Sequence, residues 1–157
     1  MFEDISVNTR ILLWTELLGR IKPATVLEIG VWKGDFAATV LHTTPSIARY
    51  YMIDPWRRLD RWNKPLNTTD VDLERAYQDA LQSTAFAKDK IVVLRGTTTG
   101  VIDKIPDKSL DFVYVDGDHT LRGITTDLIC TYPKLKAGGY IGGDDFEPNI
   151  WQHGPKF

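Results

Sequence analysis

The 157 residues fit one domain, and with 25% charged and 43% apolar residues the chain is too apolar for intrinsic disorder. Nineteen Lys and Arg against 21 Asp and Glu leave a net charge of −2, which excludes a global positive field for nucleic acid or anionic membrane. The single cysteine, Cys130, rules out an intramolecular disulfide or a multi-thiolate zinc site; with no 18-residue apolar run and no signal-like start in MFEDISVNTR, a soluble cytoplasmic protein is expected.

Ile11, Leu12, Trp14, Leu17, Leu18 and Ile21 recur at helical spacing, so residues 1–22 are expected to form an N-terminal amphipathic helix. Ala24–Ile29, bounded by Pro23 and Gly30, reads as a buried strand, Asp35–His42 as a helix, and Arg49–Ile53 as a second strand ending at Asp54. Residues 55–69 break the pattern with Trp56, Arg57, Arg58, Arg61, Trp62, Lys64 and two prolines, and read as a long lid-like loop. Asp70–Phe86 is a predicted helix with Leu73, Tyr77, Ala80 and Leu81 on one stripe. Ile91–Leu94 is the third strand, Thr98–Ile105 a short helix, and Asp111–Val115 a fourth strand ending at Asp116. Leu121–Leu135 is a helix closed by a Lys136–Gly139 turn, and Tyr140–Gly143 a fifth strand ending at Asp144 and Asp145.

This alternation, with near-continuous apolar strands, predicts an α/β fold: a doubly wound, mostly parallel sheet in a single domain. Ligands of such sheets lie beyond the carboxyl ends of the strands, where strand order reverses. The acids Glu28, Asp54, Asp116, Asp144 and Asp145 fall at those ends.

Val26-Leu27-Glu28-Ile29-Gly30-Val31-Trp32-Lys33-Gly34-Asp35 is the most informative stretch. Gly30 permits a sharp turn off the strand, and Gly34 a close backbone approach at the helix start. The spacing is neither the dinucleotide G-x-G-x-x-G nor a phosphate-binding P-loop. A ligand-free tight turn would use the same glycines. Asp54, 26 residues after Glu28, is placed to accept hydrogen bonds from ribose hydroxyls, or to be a plain helix N-cap or surface acid.

Leu27-Glu28-Ile29-Gly30-x-x-x-Gly34 resembles motif I of class I S-adenosylmethionine-dependent methyltransferases. Asp54 matches their acid after the second strand, and Leu94-Arg95-Gly96-Thr97 resembles their adenine-side turn. The resemblance runs from Ala24 to Phe146. It implies that Glu28, Gly30 and Gly34 hold the methionine end of the cofactor. It places Asp54 on the ribose and Gly96 and Thr97 beside the adenine. Trp56, two residues after Asp54, is close enough to edge the adenosine, and Asp116 is expected among the cofactor contacts.

Asp116-Gly117-Asp118-His119-Thr120 and Gly142-Gly143-Asp144-Asp145-Phe146 follow the fourth and fifth strands, 28 residues apart, so both return to one sheet edge. Converging carboxylates suit a hard divalent cation with oxygen ligands. Helix capping by Asp118 or Asp116, with Asp144 and Asp145 solvated, is the other reading. These segments, with Tyr132-Pro133-Lys134-Leu135-Lys136, are similar to a bacterial small-molecule O-methyltransferase subfamily of the macrocin type, and more distantly to catechol O-methyltransferase. That similarity implies Mg²⁺ on Asp116, Asp144 and Asp145, and His119 as general base. The chemistry fits: methyl transfer to a hydroxyl needs the oxygen deprotonated as it attacks, and a nearby histidine can take the proton.

The lid's aromatics and basic residues could stack on bases, on a sugar or on adenine; at net charge −2 a substrate or cofactor lid is favoured over nucleic acid. The family sheet has seven strands, the last two forming a hairpin. Five are predicted here, and residues 148–157 carry no strand pattern, as expected of a C-terminally truncated domain or one that completes its sheet with another chain. The fifth strand would then be an exposed edge open to self-association. The expected protein methylates a hydroxyl of a small molecule, such as a sugar or natural product, using S-adenosylmethionine and Mg²⁺. An adenosine-binding module without turnover and an RNA methyltransferase are the alternatives; the absent G-x-G-x-x-G weighs against a nicotinamide oxidoreductase.

Overall fold

A computed structural model describes residues 10–60, 62 and 65–144. The elements in chain order are α1 (Arg10–Ile21), β1 (Thr25–Ile29), α2 (Asp35–Thr43), β2 (Arg49–Asp54), α3 (Asp70–Ser83), β3 (Ile91–Arg95), α4 (Thr98–Val101), β4 (Leu110–Val115), α5 (Leu121–Thr131) and β5 (Leu135–Gly143). Each predicted strand is present. The sheet is parallel in the order β3-β2-β1-β4-β5. The chain winds outward from β1 through β2 to β3, then crosses back to β4. The order therefore reverses between β1 and β4, which opens a crevice beyond their carboxyl ends.

Side chains alternate across the sheet. On one face Val26, Tyr50, Met52, Phe112 and Tyr114 pack under Leu18 of α1, Phe36, Ala37 and Val40 of α2, and Ala76 and Ala80 of α3. On the other, Leu27, Ile29, Tyr51, Ile53, Val113 and Val115 pack with Val101, Ile102 and Ile105, and Cys130 of α5 joins from the edge. Helices thus cover both faces, as predicted. Full burial of each large apolar side chain contributes about 1.5–3 kcal/mol, and central β1 is closed on both sides.

Several boundaries differ from the sequence reading. The helix after β4 ends at Thr131 because Pro133 cannot continue it; a 3-10 turn, Tyr132–Lys134, follows. Helix α3 stops at Ser83, where the Thr84 hydroxyl donates to the Ala80 carbonyl (2.6 Å). Lys136–Gly139, expected as a turn, lies inside β5: pairing jumps from Leu110↔Leu135 to Phe112↔Tyr140, so the segment bulges out of register with Gly138 at φ +80°.

Among the described residues no strand pairs with the outer side of β5. None of the helices there is long and apolar enough to cross a membrane. Residues 1–9 of the expected first helix, Arg61, Asn63 and Lys64 of the lid, and 145–157 lie outside the described residues.

Candidate functional site

Hydrogen bonds extend the ladder one residue beyond the strands and align their ends. The amide of Gly96 donates to the Asp54 carbonyl (2.9 Å) and that of Gly30 to Ile53 (2.9 Å). The amide of Asp116 donates to Ile29 (2.8 Å) and that of Asp144 to Val115 (3.1 Å). Asp54, Gly30, Asp116 and Asp144 therefore stand along one edge, across the crevice between β1 and β4.

Gly30 has φ +84°, and a Cβ added to it would lie 2.0 Å from the Asp116 carbonyl oxygen. Only a residue without a side chain lets the turn after β1 pass this close to the end of β4. The turn is held from β2. The Asp54 carboxylate accepts from the Val31 and Trp32 amides through Oδ2 (3.1 and 3.0 Å) and from the Trp56 amide through Oδ1 (2.8 Å). Burial pushes the Asp54 carboxyl up; these three amides and the charge of Arg95 oppose the rise without cancelling it.

The remaining residues suggested for cofactor binding are placed less uniformly. Glu28 is 1% exposed and accepts from the Tyr50 hydroxyl (2.7 Å), on the face covered by α1–α3. Burial first, and then Glu28, hold the Tyr50 hydroxyl well above its usual range. Gly34, at φ +81°, begins α2, and its missing side chain is explained by packing: a Cβ would meet Ser83 Oγ at 2.7 Å and Ala80 Cα at 3.0 Å on α3. Gly96 is likewise close-packed, its absent Cβ 2.6 Å from Val101, and Thr97 stands just before α4 without a side-chain capping bond.

Trp56 corrects the sequence reading. Its indole, expected at the edge of the adenosine, is 1% exposed; it donates from Nε1 to the Trp32 carbonyl (2.8 Å) and packs on Tyr77 with centroids 5.0 Å apart. The ring is core, and only the backbone of Trp56 faces Asp54.

At the end of β4, His119 Nε2 lies 3.3 Å from Asp116 Oδ1, both side chains partly exposed. The predicted base and the predicted acid are thus neighbours. Asp118 braces Thr120 through its amide and hydroxyl (both 3.1 Å), and Thr120 caps α5 by accepting from the Gly123 amide (3.0 Å). The capping role considered for Asp118 therefore belongs to Thr120. Asp116 and Asp144 bring carboxylate oxygens to adjacent strand ends, the donor type that a hard cation prefers. Asp145 lies outside the described residues, and among those described no group of three His, Cys, Asp or Glu is arranged to hold a metal. His42 stacks on Phe86 (centroids 3.7 Å apart), away from this edge; His153 lies outside the described residues.

Two further residues border this edge. Arg95, the last residue of β3, donates to the Trp56 carbonyl (2.7 Å), pairs with Glu74 (2.8 Å) and lies 4.8 Å over the Tyr77 ring. Asp127 on α5 is 6% exposed and is bonded to the Thr98 side chain at the start of α4; burial, with Asp118 adding to it, raises its carboxyl. A charged residue ending a buried strand was the available signal for Arg95. The sequence carries none for Asp127, whose partner lies 29 residues away.

A family model described as a methyltransferase domain matches residues 27–146, from β1 through the end of β5. The chain belongs to this family. Solved structures share the fold of this methyltransferase domain. An O-methyltransferase from Bacillus cereus in complex with S-adenosylhomocysteine superposes at TM-score 0.66 and 16% identity, over 90% of this chain and 58% of that one. The Streptomyces achromogenes O-methyltransferase TomG, involved in tomaymycin synthesis and solved with S-adenosylmethionine, gives 0.64 and 15% over 94% and 65%. The S-adenosylhomocysteine-bound methyltransferase PaMTH1 of Podospora anserina gives 0.63 and 16% over 95% and 62%. At these identities the likeness is one of fold: a Rossmann-like methyltransferase sheet. The chain spans about three fifths of the length of the solved structures it matches.

Proposed function

We propose that this methyltransferase domain binds S-adenosylmethionine along the edge formed by Gly30, Asp54, Gly96 and Asp116, and transfers its methyl group to a hydroxyl of a small molecule in the cytoplasm. The observation that carries the proposal is the turn after β1. Gly30 is pressed against the end of β4, and Asp54 binds the turn's amides from β2, so the turn is fixed in place near the Asp116–His119 pair. A sugar or natural-product hydroxyl is the acceptor class that the motif resemblance favours.

In this reading His119 accepts the hydroxyl proton while Asp116 beside it stabilises the imidazolium that results. The acceptor oxygen attacks the sulfonium methyl carbon in line; the carbon–sulfur bond breaks and sulfur keeps the electron pair, leaving a neutral thioether. The protein's main contribution is to hold oxygen, methyl and sulfur in line. Asp116, Asp144 and Asp145 are the residues that would hold Mg²⁺. Bound there, the ion would lower the pKa of a coordinated hydroxyl.

Calorimetric titration of the chain with S-adenosylhomocysteine in the presence of Mg²⁺ tests the cofactor reading. One-to-one binding in the micromolar range is expected, weakened at least tenfold by Asp54→Ala, because a hydrogen bond to a charged acceptor is worth about 1.5–3 kcal/mol. Absence of binding by the folded chain would count against it.

A further inference from the structure

We propose that Arg95 is a positioning residue for the cofactor's ribose: through the Trp56 carbonyl it fixes the direction in which Asp54 Oδ1 points. The inference rests on the cofactor reading above and adds to it a residue that neither touches the ribose nor lies in the glycine turn.

A carboxylate offers about four acceptor positions. Three of those on Asp54 are filled by backbone: two on Oδ2 by the Val31 and Trp32 amides, one on Oδ1 by the Trp56 amide. The position left for a ribose hydroxyl is therefore on Oδ1, the oxygen that Trp56 holds. Trp56 sits at φ +41°, a left-handed conformation unusual for a bulky residue, which persists only where the surroundings enforce it. Its surroundings are four: its amide on Asp54, its indole N–H on the Trp32 carbonyl, its ring on Tyr77, and its carbonyl on Arg95.

Arg95 joins the last two. One face of its guanidinium rests on Tyr77, and Nη2 reaches both Glu74 and the Trp56 carbonyl. In the sheet Arg95 is the register partner of Asp54 itself, so the clamp spans the two strand ends that frame the site. Without the guanidinium, the Trp56 carbonyl loses its donor, one of the four contacts that hold the left-handed conformation. The Trp56 amide then leaves Oδ1, and the free acceptor position turns away from the ribose.

The test compares S-adenosylhomocysteine with its 2′,3′-dideoxy counterpart on the wild-type chain, Arg95→Gln and Glu74→Gln. The wild-type chain should prefer the ribose form by about 10- to 100-fold, the span of one hydrogen bond to a charged acceptor. In Arg95→Gln that preference should fall below threefold, with affinity for the dideoxy ligand nearly unchanged. Glu74→Gln, on the outer face of α3, should fold normally and reduce the preference partially. A general loosening of the fold would weaken both ligands alike. Equal weakening, or a wild-type-like preference in both variants, would overturn the role of Arg95 and leave the cofactor reading standing. Failure of the wild-type chain to bind or to discriminate would overturn both.

Discussion

Replacing Gly30 by alanine should destabilise the domain far more than the same change at Gly138, although both glycines have φ near +80°. A left-handed conformation costs an alanine about 1–2 kcal/mol, and at Gly138, where nothing lies within 4 Å of an added Cβ, that is the whole effect. At Gly30 the added Cβ would lie 2.0 Å from the Asp116 carbonyl oxygen and 2.9 Å from Gly117 Cα, all of it rigid backbone. Restoring a 3.0 Å contact requires a movement of about 1 Å between the ends of β1 and β4. Overpacking of this kind costs about 1–3 kcal/mol, giving a total of about 2–5 kcal/mol for Gly30→Ala. Urea unfolding of the two variants and the wild type resolves the difference, since a slope of about 2 kcal/mol per molar converts the extra cost of about 1–3 kcal/mol to a midpoint shift of about 1 M. Gly19→Ala, on an exposed turn of α1 with open space around it, serves as control and should stabilise by about 1 kcal/mol. Gly30→Ala matching Gly138→Ala to within 0.5 kcal/mol would refute the claim that the turn is pressed against β4.

Other expectations concern the buried polar groups and the packing of α1. Tyr50→Phe removes the donor to the buried Glu28 carboxylate and should cost about 1–3 kcal/mol, read as a lower thermal midpoint. Asp111 accepts from the Ala24 and Thr25 amides and pairs with Lys136. Burial works to raise its carboxyl, but these bonds together hold it below the usual value. A depressed carboxylate contributes stability above its unfolded pKa, near 3.9, and loses it as pH falls through the folded value. Asp111→Asn should therefore lower stability at pH 7 and flatten the acid limb below about pH 4, measured by urea titration at several pH values. Gly142→Ala would place a Cβ 2.2 Å from the Trp14 ring and should displace α1 from β5, seen as faster amide exchange in residues 10–21. Cys130, half-buried, with its thiol pushed up by burial and then by Asp127 and Asp103, should react with a disulfide reagent at pH 7 more slowly than a free thiol.

The strands and their acidic ends were readable because apolar runs of five or six residues bounded by Gly, Pro or Asp have few other solutions in a chain of this length. What the sequence concealed lies in the contacts that strand order creates. Gly34 reads as a ligand-facing glycine until α3 is placed against it and Ser83 fills the space. Trp56, next to basic residues in a polar segment, reads as a lid aromatic, yet the Asp54 corner turns it into the core. The start of β5 was hidden because Lys-Ala-Gly-Gly has turn chemistry, and only pairing with β4 shows that it is absorbed as a bulge. Asp111 and Arg95 carry no local signal beyond their charge, since their partners come from other strands and from α3. The His119–Asp116 contact, by contrast, was visible as an i,i+3 spacing in a strand-end loop.

The seat of Trp14 bears on how the chain is made. The ring rests on Phe112 and Tyr114 of β4 (centroids 5.7 and 5.3 Å away) and against Gly142 of β5, more than 95 residues downstream. During synthesis α1 leaves the ribosome long before the strands that receive it. At about 5–20 residues per second, its apolar stripe waits several seconds for β4 and β5 to be translated. Helix α1 is thus among the last of the described elements to be fully docked, and over that interval its apolar stripe lacks the cover of β4 and β5.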